Sequence, residues 1–170
     1  MEQLWAPWRM QYINESGKGQ TNADIGCFMC SAGLMSHAHE QQLVLAVSEH
    51  AVAMLNRYPY APGHVMVFPR RHVASIVDLQ DYEYADLMKL VQTSVRAIDV
   101  EYQPDGSNIG LNLGSASGAG VPGHVHVHIV PRWIGDTNFM QVVGQVRVLP
   151  EMLDETWSKL SRRFELLQAP

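Results

Sequence analysis

Three histidines alternate with valines in GHVHVHIV, at His124, His126 and His128. On an extended strand, residues i, i+2 and i+4 share one face at roughly 6.6 Å intervals, so the imidazoles would form a row while Val125 and Val127 turn to the core. For a single histidine, solvent-facing alternation on a half-buried strand would be the simpler reading. Three in strict alternation, directly after a glycine-rich loop, point instead to a site. Such a row can bind a metal, or supply a nucleophile and an acid.

The stretch from Gly114 to Gly120, GSASGAG, leads into the row, and its backbone N–H groups could converge on an anion such as a phosphate. Alone it would read as a flexible loop. Beside imidazoles it reads as the phosphate cradle of a nucleotidyl-transfer site, with Ser117, Gly118 and Gly120 against the substrate. An imidazole attacking phosphorus divides one displacement into two easier ones. Loop amides and neighbouring imidazoles would stabilise charge on the equatorial oxygens.

The chain's 2 cysteines, Cys27 and Cys30, stand in CFMC, too close and too few for the disulfide framework of a small secreted domain. They read as metal ligands or as a redox pair, though no βαβ context surrounds them as it would in a thioredoxin-like motif. Two thiolates with this gap can share one tetrahedral ion, and His72 and His124 are candidates for the other ligands. A site closed by Cys27, Cys30, His72 and His124 would be a structural zinc, one per chain, pinning the N-terminal arm to a sheet. For His72 the rival reading is a surface histidine beside Arg70 and Arg71.

The elements that must position these groups follow from periodicity. Short apolar runs at Leu43–Ser48 and Ala51–Leu55 read as a hairpin, NRYPYAPG (Asn56–Gly63) as a loop, and His64–Phe68 as a third strand. Tyr84, Leu87, Met88, Val91, Val95 and Ile98 recur at helical spacing, which predicts a long helix over Asp81–Tyr102. Asn108–Gly114 and His124–Val130 are two further strand candidates. Leu153, Trp157, Leu160, Phe164 and Leu167 predict a C-terminal helix over 150–167, with Pro150 in its first turn. The strand pairs are joined too closely for βαβ crossovers. The expected fold class is α+β: an antiparallel sheet of about five strands, a long central helix and a C-terminal helix. Residues 1–170 form one expected domain, with an arm over 1–40 that carries the cysteines and whose Trp5 and Trp8 are expected to cover apolar surface.

With 170 residues, 12 Lys and Arg against 17 Asp and Glu, and a net charge of -5 without a long single-sign run, the chain offers nothing to a nucleic-acid backbone. Charges within the first thirteen residues, and polar residues from Gly106 to Pro131, argue against a signal peptide or a membrane span, so a cytoplasmic protein is expected.

HVHVHIV resembles the H-x-H-x-H-x-x signature of the histidine triad (HIT) superfamily of nucleotide hydrolases and transferases. NRYPYAPGHVMVFPRRH upstream, Asn112 before the triad loop and PRW after the triad extend the resemblance over Leu43–Trp133. The continuation GDTNFMQVVGQVRVLPEML, from Gly135, is similar to the branch that contains diadenosine tetraphosphate phosphorylases and related hydrolases. The resemblance implies a HIT-like fold that usually dimerises, and an enzyme that cleaves diadenosine polyphosphates through a covalent nucleotidyl-histidine. By resemblance, His126 is the nucleophile, His124 orients it through its backbone carbonyl, and His128 contacts phosphate oxygens or the leaving group. Asn112 would support the phosphate or the nucleophile, and Asn56 would contact ribose. His64 matches a recurrent family histidine and would belong, with Trp133, to the substrate-binding pocket. Where the family commonly carries a Gln before the first triad histidine, this chain has Ala119, Gly120 and Val121. That difference predicts room for inorganic phosphate, and so phosphorolysis. The alternatives are a slow-turnover nucleotide-binding regulatory module, a nucleoside phosphoramidate hydrolase, and a metalloenzyme centred on the histidine row.

Overall fold

Two apolar alternations per strand decide how this chain folds, because each strand carries one set of side chains for each face of the sheet. The computed structural model describes residues 26–136 and 149–168. Trp5, Trp8 and the segment 137–148 lie outside the described residues. A short helix, α1 (Phe28–Gly33), and a 3-10 turn precede strands β1 (Val44–Val47), β2 (Ala51–Leu55) and β3 (Val65–Pro69). Then come the long helix α2 (Asp81–Tyr102), strands β4 (Gly106–Leu111) and β5 (Val127–Arg132), and helix α3 (Leu153–Gln168). The strand order is β1-β2-β3-β5-β4, with every pairing antiparallel, so β4 is an edge strand.

One face of the sheet presents Leu45, Ala53, Leu55, Val65, Val67, Val127 and Ile129 to Leu87, Leu90, Val91 and Ile98 of α2 and Leu160 and Phe164 of α3. The other face presents Val44, Val52, Met54, Met66 and Phe68 to Met29 and Ala32 of α1. Trp157 fastens α3 to the sheet through an Nε1–H bond to the carbonyl of Val44 at 2.8 Å. The start of α2 is closed by a capping box, in which Glu83 accepts the Gln80 N–H at 2.9 Å. Arg71 donates two further hydrogen bonds to the same carboxylate, at 2.8 and 2.6 Å. These bonds hold the Glu83 pKa down to about 2, against its burial, which acts the other way. Gly63 is required by conformation, since its φ is +75° at the turn into β3 and a Cβ there would stand 3.1 Å from the Tyr102 ring.

The α+β architecture and the span of α2 match the sequence reading. Five elements differ in their bounds, beginning with β1, which at Val44–Val47 is one residue shorter at each end than Leu43–Ser48. β3 begins and ends one residue later than His64–Phe68 and includes Pro69. β4 runs Gly106–Leu111 rather than Asn108–Gly114, because Gly114 (φ 74°) opens the following turn instead of continuing the ladder. β5 starts at Val127, not at His124. α3 begins at Leu153, three residues after Pro150, which therefore precedes the helix instead of occupying its first turn. None of the described helices is long and apolar enough to cross a membrane.

Candidate functional site

Register places the site. Met54 pairs with Met66, Met66 with His128, and His128 with Gly110, so these four positions form a line across β2, β3, β5 and β4 on the face away from α2. His128 is the one triad histidine within a paired strand. His124 and His126 precede β5 on backbone held by a 2.7 Å bond from the Val125 N–H to the Val73 carbonyl. The expected uniform row is therefore broken. His126 and His128 remain neighbours, with ring centroids 4.8 Å apart and edge to face, while the His124 ring turns to the cysteines.

Hydrogen bonds assign the protons on these rings. Nδ1 of His126 lies 2.8 Å from the His124 carbonyl, which can only accept, so Nδ1 carries the proton and Nε2 keeps the lone pair. The Tyr60 N–H donates to Nδ1 of His64 at 3.1 Å, which leaves that ring's proton on Nε2. His64 Nε2–H then donates to Nδ1 of His128 at 3.0 Å, so His128 carries its own proton on Nε2. The pair thus combines a nucleophilic nitrogen on His126 with a donor on His128. Burial lowers the pKa of His126, partly opposed by its bond to the His124 carbonyl. Burial and the neighbouring His126 push His128 down to about 4. Both rings are neutral near pH 7, as nucleophilic attack by imidazole requires.

A cavity of 1040 Å³ opens onto them, with His126, His128, Asn56, Asn112, Gly118 and Gly120 in its wall. Its remaining lining is Phe28, Met29, Gln41, Gln42, Met54, Arg57, Tyr58, Tyr60, Met66 and Val121. Three expected substrate contacts are not in the cavity wall. Ser117 turns its hydroxyl back to the Gly114 carbonyl at 2.7 Å. Trp133 sits in the turn after β5, its N–H bound to Asp136 at 3.2 Å. His64, 1% exposed, stands behind His128 rather than in the wall. The sequence reading missed Met54 and Met66, though alternation on β2 and β3 puts them on the His128 face once the register is known. It also missed Phe28, Met29 and the 3-10 turn with Gln41 and Gln42, whose approach is a tertiary event without local signal.

The four candidate metal ligands converge. One donor atom from each of Cys27, Cys30, His72 and His124 lies within 4.8 Å of the others. Sγ of Cys27 is 3.4 Å from Nδ1 of His124, and Sγ of Cys30 is 3.2 Å from Nδ1 of His72 and 3.7 Å from Nδ1 of His124. Tetrahedral zinc, with bonds of about 2.0–2.3 Å, sets ligand atoms roughly 3.4–3.8 Å apart, so the donor set fits. His124 donates its Nε2–H to the Pro69 carbonyl at 2.8 Å, which aims the Nδ1 lone pair at the cysteines, and burial lowers its pKa to about 4. His124 therefore serves both centres, with its ring in the cluster and its carbonyl on His126.

An antiparallel α+β sheet carrying this triad beside a cavity defines a protein of the histidine triad class. The family model of the HIT domain matches residues 38–133, and the chain belongs to the HIT family. It is 40% identical over 157 residues to the AP-4-A phosphorylase of Mycobacterium tuberculosis (strain CDC 1551 / Oshkosh), covering 92% of this chain and 80% of that protein. Over 82 residues, 48% of this chain and 44% of the relative, it is 42% identical to the asymmetrical bis(5'-nucleosyl)-tetraphosphatase of Schizosaccharomyces pombe. Among solved structures, a Zn-bound histidine triad family protein from Mycobacterium smegmatis superposes with a TM-score of 0.66 at 25% identity, over 84% of this chain and 96% of that one.

Proposed function

We propose that this chain is a HIT-family enzyme that cleaves diadenosine polyphosphates, diadenosine tetraphosphate among them, through a covalent intermediate on His126. The observation that carries the reading is the Nδ1–H of His126 held at 2.8 Å by the His124 carbonyl, which leaves Nε2 as the attacking atom at a cavity wall. In the first step Nε2 bonds to the α-phosphorus of one adenosine, and the bond from that phosphorus to the bridging oxygen breaks. The leaving group departs as a nucleoside polyphosphate. His126 then carries positive charge, which its Nδ1–H shares with the carbonyl. The His128 Nε2–H donates to a phosphoryl oxygen or to the departing oxygen, with Asn112 and the amides around Gly118 and Gly120 completing the cradle. In the second step an oxygen of phosphate or water attacks the same phosphorus, the N–P bond breaks, and His126 is regenerated.

Phosphate is the favoured acceptor. Gly120 and Val121 line the cavity where the family commonly has a Gln, and they leave space beside the phosphorus for a second anion. Asn56 serves the ribose, and the apolar wall of Met54, Met66 and Met29 serves the base.

Zinc fits the cluster of Cys27, Cys30, His72 and His124. With all four positions taken by protein it supplies structural cross-linking, not an open site for water. The reading includes a single domain, a cytoplasmic location, where cysteines stay reduced and available as metal ligands, and a homodimer. For the dimer, the support is β4, an edge strand with Ile109 50% exposed.

Product analysis tests the reaction. With diadenosine tetraphosphate, ADP plus ATP appearing only when phosphate is present identifies a phosphorylase, and AMP plus ATP regardless of phosphate a hydrolase. His126→Ala should abolish turnover and keep nucleotide binding; near-normal turnover in that variant refutes the mechanism.

A further inference from the structure

The cavity wall combines side chains of different chemistry. His126, His128 and the glycine loop meet the reacting phosphate, and the methionines with Phe28 and Val121 form an apolar surface. Arg57 belongs to neither group. It is exposed, it lines the same cavity, and among the described residues its guanidinium enters no ion pair. No Asp, Glu or Lys joins the described lining, so Arg57 is the one residue of the acidic and strongly basic types there.

Its backbone is also fixed. The Asn56 N–H bonds to the His64 carbonyl at 2.9 Å, and Oδ1 of Asn56 accepts the Tyr58 N–H at 2.9 Å, so Arg57 sits between two pinned residues at the base of the loop that leads to β3. The loop's other end is His64, which is bonded to His128. Arg57 is thus carried by the segment that also orients the donor histidine.

A polyphosphate chain bears negative charge on every phosphate, and the net charge of this protein is -5. Bulk electrostatics repels such a substrate, so a local cation must offset the repulsion. The nucleophile and its cradle account for the phosphate under attack. The cavity, at 1040 Å³, is at the upper end of the range of small-molecule sites and has room for more than one nucleotide.

We infer that Arg57 is a specificity-determining residue that binds the phosphates of the leaving nucleotide, so that the site selects polyphosphate-bridged substrates over those with a short leaving group. This rests on the proposed cleavage reaction. Arginine suits the task because its planar fork pairs with phosphate oxygens at two points and stays charged at all working pH values.

The test is equilibrium binding of two probes, a methylene-bridged analogue of diadenosine tetraphosphate and AMP, to the wild type, Arg57→Ala and Arg57→Lys. Arg57→Ala should weaken the dinucleotide analogue by about 10- to 100-fold, the effect of losing one or two hydrogen bonds to a charged group. AMP should change by less than about threefold, within the spread of ordinary surface substitutions. Arg57→Lys should recover part of the loss, and the wild type should lose more analogue affinity on addition of salt than Arg57→Ala does. Equal losses for both probes, or no loss for either, overturn the assignment. The two readings fail separately. A protein that does not cleave diadenosine tetraphosphate but keeps the contrast between probes loses the reaction and retains the subsite. One that cleaves it without the contrast retains the reaction and loses the subsite.

Discussion

His64 never touches the cavity, yet replacing it should slow the enzyme. It is 1% exposed, accepts the Tyr60 N–H at 3.1 Å and donates to His128 at 3.0 Å, so both ring nitrogens are committed. In His64→Ala the His128 ring loses the partner that fixes its tautomer and angle, and its Nδ1 is left to water or to no partner. Each lost bond contributes about 0.5–1.5 kcal/mol, and a buried group left unsatisfied costs about 1–3 kcal/mol. The truncated ring adds a cavity beside Tyr60, whose ring centroid lies 4.7 Å from that of His64. Together a loss of about 2–4 kcal/mol in stability is expected, which is tolerable for a domain of this size. A positioned acid or donor contributes about 10²–10⁴-fold, and His64 acts only by positioning one, so kcat should fall by about 10- to 100-fold with KM little changed. His64→Gln, whose amide N–H can reach the position of Nε2, should restore part of kcat. The assays are steady-state kinetics and thermal unfolding on both variants. A folded His64→Ala protein with kcat within about threefold of the wild type would show that His64 only fills space, and the relay argument would be wrong.

Metal analysis of the purified protein should find about one zinc per chain, and Cys27→Ser should lose it. The substitution should also lower the melting temperature by more than about 5 °C, given that ~1 kcal/mol moves a domain of this size by about 2–4 °C. Because α1 carries Phe28 and Met29 into the cavity wall beside Cys27 and Cys30, nucleotide binding should weaken in the same variant. Glu83→Gln should destabilise the fold at pH 7 by about 1–3 kcal/mol. With the folded pKa lowered to about 2 from 4.5, the carboxylate stabilises fully above 4.5, and this is lost as pH falls through 2. Denaturant titrations of wild type and variant should therefore converge over that window. Gly63→Ala puts a Cβ 3.1 Å from Tyr102 at φ +75°, and should cost about 1–3 kcal/mol by the same measurement; an unchanged midpoint would mean the turn relaxes freely.

Much of this protein was legible in local pattern. Helical spacing delimited α2 from Asp81 to Tyr102, since a 22-residue amphipathic run with acidic residues in its first turn admits no other structure. Residue type and spacing also marked the histidine row and the CFMC pair as candidates for chemistry, while the role of His126 came from the family resemblance and the convergence of His72 and His124 on the cysteines from the fold. Where reading failed, long-range pairing was the cause. The start of β5 at Val127 is set by its partners Val67 and Leu111, which no local window contains. Residue type makes Ser117 a candidate for the substrate, but its hydroxyl finds a nearer acceptor three residues back in its own turn.

The sequence by itself determined which side chains are capable of nucleophilic, donor and ligand chemistry, because those properties belong to the residues. Only the tertiary structure decided how the work is divided among them. Folding separates the His124 ring from its neighbours and gives it to the cysteines, puts the Tyr60 amide at the head of a chain of proton positions through His64 to His128, and brings Arg57 to the cavity wall. Each of these depends on directional contacts between segments distant in the chain, and the energy of such contacts exists only once the sheet has brought the segments together.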